Sequence, residues 1–254
     1  MIVDDLSVNE RARAWRRAVL DGVCDGATAW EHCSVIRASR YPTYWSYNFV
    51  AVADDPGLTC AELIAFADQA LGDLDHRAIE FNEIEPAQRL RGDFDAAGWR
   101  STRLVWMHHE HAPEIDSTLA VEEVPYEAVR ALRIAWHEED YPGDELGGHL
   151  EEAREVDELH GARVLAHRDG SAIIGFSQLE RIADGALIGA VYVDREHRGR
   201  GIGTALTLAA IAAAGAVGDL WILADEEDRP KELYTRLGFR PVWTTMEFLR
   251  LPQR

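Results

Sequence analysis

Ala186-Leu187-Ile188-Gly189-Ala190-Val191-Tyr192-Val193-Asp194-Arg195-Glu196-His197-Arg198-Gly199-Arg200-Gly201-Ile202-Gly203-Thr204-Ala205-Leu206 joins an apolar run to an alanine-rich one through glycines and arginines. The first part, Ala186 to Val193, reads as a short buried strand, β-branched near its end. From Gly201 to Ala214 the pattern is helical, with Ile202, Ala205, Leu206, Ala209, Ala210 and Ala213 along one side. Glycines at the start of a helix let the backbone come close to a ligand. The free N–H groups and the helix dipole there favour an anion, so phosphate is the natural guest.

An ordinary Gly-rich turn has the same spacing. A Rossmann dinucleotide site fits less well, because the order is G-x-G-x-G and Asp194 to His197 separate the glycines from the strand. Arg198, three residues before Gly201, completes the order R-x-x-G-x-G. That order, within the stretch Val191 to Leu206, resembles the acyl-CoA pyrophosphate loop of the GNAT superfamily of N-acetyltransferases.

The chain has 254 residues, enough for one large domain or two small ones. Its formal charge is -19 and its pI about 4.9, which disfavours nucleic acid and anionic membranes as partners and favours a cationic one such as an amine. Cys24, Cys33 and Cys60 have no metal-like spacing, so a reducing cytoplasm is the expected location. The start, Met1 to Asp5, reads as no signal peptide and no apolar run approaches bilayer length, so a soluble intracellular protein is expected.

Beyond a polar linker around His111–Ser117, strands are expected at Thr118–Val124, Arg163–His167, Ala172–Glu180, Ala186–Val193, Leu220–Ala224 and Phe239–Leu249. Helices are expected at Tyr126–Glu138, Gly148–Leu159, Gly201–Ala214 and Pro230–Leu237, the last with Asp228 as N-cap. This is the order of the GNAT fold. The first half repeats its tail: strand Asn48–Ala53, helix from Thr59 to about Leu71, strand Ala78–Asn82, helix Pro86–Ala97 and strand Arg100–His108. Phe94-Asp95-Ala96-Ala97-Gly98-Trp99 aligns with Tyr234-Thr235-Arg236-Leu237-Gly238-Phe239, which reads as an internal duplication.

The expected fold class is therefore α+β (mixed α/β), similar to tandem GNAT proteins. It comprises two GNAT-like units, each a twisted mixed sheet flanked by helices, with the second complete. Residues 1–112 read as a degenerate, non-catalytic unit and 118–254 as the catalytic one. Asp54-Asp55-Pro56-Gly57-Leu58-Thr59 replaces the arginine–glycine loop, and Phe94 replaces Tyr234. Two carboxylates repel a pyrophosphate, and proline offers it no N–H.

The resemblance implies direct acetyl transfer from acetyl-CoA to a primary amine of a small molecule, both bound in a ternary complex, with no metal. It implies that Arg198, Gly199, Arg200, Gly201, Ile202, Gly203 and Thr204 cradle the pyrophosphate and that Val191 and Val193 pair with the pantetheine arm. The backbone N–H of Val191 would then face the thioester carbonyl, and Tyr234 would be the general acid. Counting back from Arg198, the glutamate that many GNAT enzymes use as base falls on Leu187, which cannot serve. Glu180, Glu138, Glu139, Asp140 and Asp225, or a water chain, are the candidate bases, and an amine of low pKa would need none. His137, Glu138, Glu139, Asp140 and Asp225 are candidate substrate contacts. His108-His109-Glu110-His111 alternates on a strand and reads as a charged strand end rather than a metal site. A CoA-binding regulatory or scaffold protein is the alternative, and a nicotinamide-dependent oxidoreductase a third. The internal duplication favours a monomer.

Overall fold

The glycine loop connects a strand to a helix in the computed structural model, which describes residues 6–30, 33–144, 146, 148–226 and 230–251. In chain order the first half gives α1 (Val8–Val23), β1 (Gly26–Trp30), β2 (Cys33–Arg37), β3 (Phe49–Val52), α2 (Cys60–Ala70), β4 (Arg77–Phe81), α3 (Ile84–Ala96) and β5 (Arg100–His109). Then come β6 (Glu122–Val124), a 3-10 turn (Tyr126–Val129), α4 (Arg130–Asp140), α5 (His149–Leu159), β7 (Arg163–Asp169), β8 (Ala172–Ile182) and β9 (Gly185–Val193). The chain closes with α6 (Ile202–Ala214), β10 (Asp219–Asp225), α7 (Pro230–Arg236) and β11 (Phe239–Arg250). The fold is mixed α/β, with parallel and antiparallel pairings and seven α-helices among the described residues.

Two compact units result. The first gathers the chain up to Val105, Asp225 and Glu226, and the residues from Trp243 onward; the second gathers Trp106–Ala224 and the residues up to Val242.

In the first unit α1 opens on a capping box. Ser7 accepts from the Glu10 N–H and the Glu10 carboxylate accepts from the Ser7 N–H, while Ala12, Trp15 and Val19 form its buried stripe. Strands β1, β2 and β3 pair antiparallel, and β3 and β4 pair parallel across α2. The C-terminal part of β11 lies antiparallel to β4, with Met246 opposite Phe81 and Glu247 opposite Glu80. Val50, Leu63, Ile79, Phe81, Phe94, Met246 and Phe248 make its core. Elements α1, β1 and β2 add to the pattern expected for this half.

In the second unit β6, β7, β8 and β9 form an antiparallel run, and β9 and β10 pair parallel across α6. The β3–α2–β4 and β9–α6–β10 crossovers thus share one topology. Two expectations shift here. Strand β6 starts only at Glu122, because β7 is irregular at His167/Arg168 and the His167 ring meets the Ala120 carbonyl at 2.7 Å. The buried side of α6 is Ile202, Ala205, Leu206, Thr207, Ala210 and Ala214, in place of a stripe through Ala209 and Ala213. The expected N-cap Asp228 lies outside the described residues.

Candidate active site

Two local breaks in β9 shape the site. Its ladder with β8 runs Gly175↔Val193 to Gln178↔Ala190 and resumes at Leu179↔Ile188, so Gly189 is an extra, bulged residue. Its parallel ladder with β10 runs from Gly185↔Asp219 to Ile188↔Ile222, whereas β9 itself continues to Val193. The two strands fork at the bulge. Beyond the fork, Val191 and Val193 pack their side chains with Ile174, Ile202 and Leu206 on the α6 side.

The chain then makes a 3-10 turn at Arg195–His197 and enters the glycine loop. Gly199 and Gly201 have φ of 78° and 80°, the left-handed region where a side chain is strained, and nothing lies within 4 Å of either missing Cβ. Gly201 is the N-cap of α6 and provides no side-chain cap to its first N–H groups. At α2, the corresponding helix of the first unit, Thr59 accepts from Glu62 N at 3.3 Å and Glu62 accepts from Thr59 N at 2.8 Å. One helix start satisfies itself through side chains; the other has no side-chain cap on its first N–H groups. Asp55 meanwhile accepts from Gly57 N at 3.0 Å and pairs with Arg89.

Arg198 folds back on the strand end, its Nε donating to the Val193 carbonyl at 2.9 Å and its guanidinium 5.5 Å from the Tyr192 ring. Arg200 donates to the Glu196 carbonyl at 3.3 Å. Tyr192 stacks on Trp136 of α4, centroids 5.7 Å apart, and donates its hydroxyl to Glu139 at 2.9 Å. Burial first, and then the hydrogen bond and charge of Glu139, push its phenol up to about 12.

The residues expected to meet a substrate separate. His137 turns inward and pairs with Asp144 at 2.9 Å, whereas Glu138 and Asp140 are exposed at the end of α4. Glu139 turns to the arginine of the loop. Asp225 ends β10 and groups with the first unit. Tyr234 on α7 is only 5% exposed and packs edge-on against Phe239, 6.3 Å away. The neighbouring Leu233 reaches within 3.8 Å of the Cβ position of Gly203, so α7 lies beside the start of α6. Phe94 is fully buried and stacks on Phe248 at 4.0 Å.

Glu180 joins a buried polar cluster that the sequence did not announce. Its Oε2 meets His160 Nδ1 at 3.0 Å, and its Oε1 accepts from Gln178 Nε2 at 2.9 Å. Gln178 in turn accepts from Arg133 at 2.5 Å; that guanidinium lies 4.1 Å from the Tyr126 ring centroid and 3.9 Å from Asp157. Asp157, Gln178, His160 and Glu180 are each at least nine-tenths buried. Burial, and then the charge of Glu180, raises the Asp157 carboxyl to about 6; the charge of Arg133 and the polar groups of Tyr126 and Gln178 offset part of that. The available signal was polar residues at inward positions: Gln178 and Glu180 follow Phe176 at strand spacing, and Asp157 follows Ala153 and Val156 on α5.

At the other end of the unit His108 pairs with Asp219 at 2.9 Å and lies 4.8 Å from Trp221. Among the described residues no group of three or more His, Cys, Asp or Glu is arranged to hold a metal. No helix among them is long and apolar enough to cross a membrane.

Residues 160–241 match the family model described as Acetyltransferase (GNAT) domain. A search of curated proteins gave no match. Among solved structures, a functionally unknown conserved protein from Staphylococcus epidermidis is similar, with TM-score 0.67 and 12% identity over 89% of this chain and 93% of its own. A GCN5-related N-acetyltransferase from Kribbella flavida has TM-score 0.63 and 15% identity, covering 98% of this chain and 97% of its own. A tandem GNAT protein from the clavulanic acid biosynthesis pathway has TM-score 0.50 and 17% identity over 87% and 79%. At such identities the likeness is one of fold, and that fold is GNAT.

Proposed function

We propose that the chain is an acetyl-CoA-dependent N-acetyltransferase that moves acetyl to a primary amine of a small molecule in a ternary complex. Residues 118–254 would carry the reaction and residues 1–112 would not. The observation that carries this reading is the fork of β9 from β10 at Ile188, followed by a loop with Arg198 beside an α6 start that has no side-chain cap. An open strand edge suits the amide-rich pantetheine arm at Val191 and Val193, and the uncapped N–H groups with Arg198 and Arg200 suit the pyrophosphate. The residues therefore fit the co-substrate.

Glu180 takes the first proton of the ammonium. The freed nitrogen pair attacks the thioester carbonyl carbon and forms the C–N bond, while the Val191 N–H stabilises the developing oxyanion, an effect of about 3–4 kcal/mol in other acyl-transfer enzymes. The C–S bond then breaks with its electron pair on sulfur. Sulfur takes a proton from Tyr234, the nitrogen's second proton restores the phenol, and the proton on Glu180 passes to solvent.

Leu187 at the strand position of a base and the burial of Tyr234 favour one second reading, a CoA-binding regulatory or scaffold protein without turnover. Thermal melting with acetyl-CoA, CoA and NAD in parallel tests the co-substrate, since a ligand bound only by the native state raises the melting temperature. A shift with acetyl-CoA and CoA is expected; a shift with NAD alone rejects the reading. Release of CoA across an amine panel then separates enzyme from scaffold.

A further inference from the structure

Acetyl transfer to an amine that arrives protonated needs a group to receive its proton, and on β9 the residue opposite Glu180 is Leu187. The neighbouring strand fills that gap through the bulge. Gly189 is exposed, and a Cβ placed on it would stand 2.4 Å from Glu180 Oε1. The carboxylate of β8 thus occupies the space of a missing β9 side chain, directly behind an open stretch of backbone at the fork. Any other residue at 189 would displace it.

A buried carboxylate costs free energy unless donors reach it, and its aim is then set by those donors. Gln178 holds Oε1 and leaves it a second lone pair toward Gly189; His160 holds Oε2. His160 is itself fixed at both ends of its peptide. It caps α5 with its N–H on the Val156 carbonyl at 3.1 Å, and its own carbonyl accepts from Arg181 N at 3.0 Å. Gly161 (φ 58°) and Ala162 then donate back to Glu158 and Asp157 at 3.1 and 2.9 Å, closing the helix in a Schellman turn.

Resting on the acetyltransferase reading above, we propose that His160 is the positioning residue for proton transfer, its Nδ1–H holding Glu180 so that Oε1 receives the amine proton at Gly189. Glu180 meets His160 and Gln178 directly and feels the charge of Asp157 from α5; behind them Arg133 from α4 binds Gln178 and lies over the ring of Tyr126 from the 3-10 turn. Two carboxylates, Asp157 and Glu180, share this cluster with the one guanidinium of Arg133.

Two variants test the idea. His160→Asn keeps a donor near the Nδ1 position, and His160→Leu removes it. The probes are acetyl-CoA with n-butylamine, protonated at neutral pH, and with aniline, already neutral there. His160→Leu is expected to lower kcat with n-butylamine by about tenfold or more, short of the roughly 10²–10⁴-fold for losing an acid–base group itself. It should also move the acidic limb of the pH profile of kcat/KM, leave KM for acetyl-CoA unchanged and affect aniline less; His160→Asn should restore most of the loss. An unmoved profile and kcat in His160→Leu overturn the inference. A second readout is independent of turnover and of whether His160→Leu folds. Ring-nitrogen chemical shifts should place the His160 proton on Nδ1 in the parent and release that tautomer in Glu180→Leu. The same tautomer in both proteins overturns the pairing. A parent that turns over neither amine overturns the proton-transfer role, while the melting shifts with acetyl-CoA and CoA decide the co-substrate reading separately.

Discussion

Glu139 holds Arg198: the Nη2 of the loop arginine lies 2.6 Å from a Glu139 oxygen, and the other oxygen accepts from Tyr192 at 2.9 Å. The last turn of α4 is thereby tied to the loop before α6. An anion arriving at Arg198 meets an internal carboxylate already in place.

Glu139→Gln is therefore expected to tighten CoA binding. It removes both the competitor for Arg198 and a negative charge near the pyrophosphate. Arg198 is about half exposed, with 48% of its side chain accessible, so a surface-pair magnitude applies and the gain is about two- to fivefold. Calorimetric titration with CoA measures it, and weaker binding by the variant contradicts the competition.

Gly201→Val should weaken CoA binding and also lower stability. The space around its Cβ is open, so the fold pays only through the backbone at φ 80°, roughly 1–2 kcal/mol and more for a β-branched residue. Gly215→Ala, at φ 59° where α6 ends, supplies comparable strain away from the loop. Loss of CoA affinity in the first variant but not the second, by titration, assigns it to the loop.

Tyr234→Phe keeps the ring against Phe239 and deletes the hydroxyl. Turnover should fall by about 10²-fold, the low end for an acid–base group, because a thiolate with pKa near 8.5 is a tolerable leaving group. The deficit should shrink as pH rises past that value. Parental turnover from about pH 6 to about pH 9, a span bracketing the thiol, would make Tyr234 a packing residue.

Asp157 carries a stability signature. Its carboxyl is raised from 3.8 to about 6, mainly by burial and then by Glu180. A native pKa above the unfolded one means the folded protein binds more protons between those values, so stability falls as pH rises through them. Asp157→Asn removes that loss. Denaturation midpoints should show the variant more stable than the parent at about pH 8 by up to about 3 kcal/mol, with the difference fading toward pH 4. A variant less stable than the parent at pH 8 would mean that the Arg133 pair outweighs the cost of burial.

The order of strands and helices from Tyr126 to Phe239 was legible because each element carries its own period and punctuation. The apolar run before Val193, the glycines at 199 and 201 and Gly238 after α7 act within a few residues of themselves. The Thr59–Glu62 box and the contrast between the Asp54–Thr59 and Arg198–Gly203 loops were local in the same way. Tertiary structure alone decided which strands meet. It laid β11 beside β4, and it forked β9 from β10 at the residue where Gly189 bulges. It also drew Glu139 to Arg198, 59 positions apart, and Glu180 to His160 across 20. No local period encodes such meetings. A buried carboxylate must find donors wherever packing brings them, and that choice belongs to the folded core.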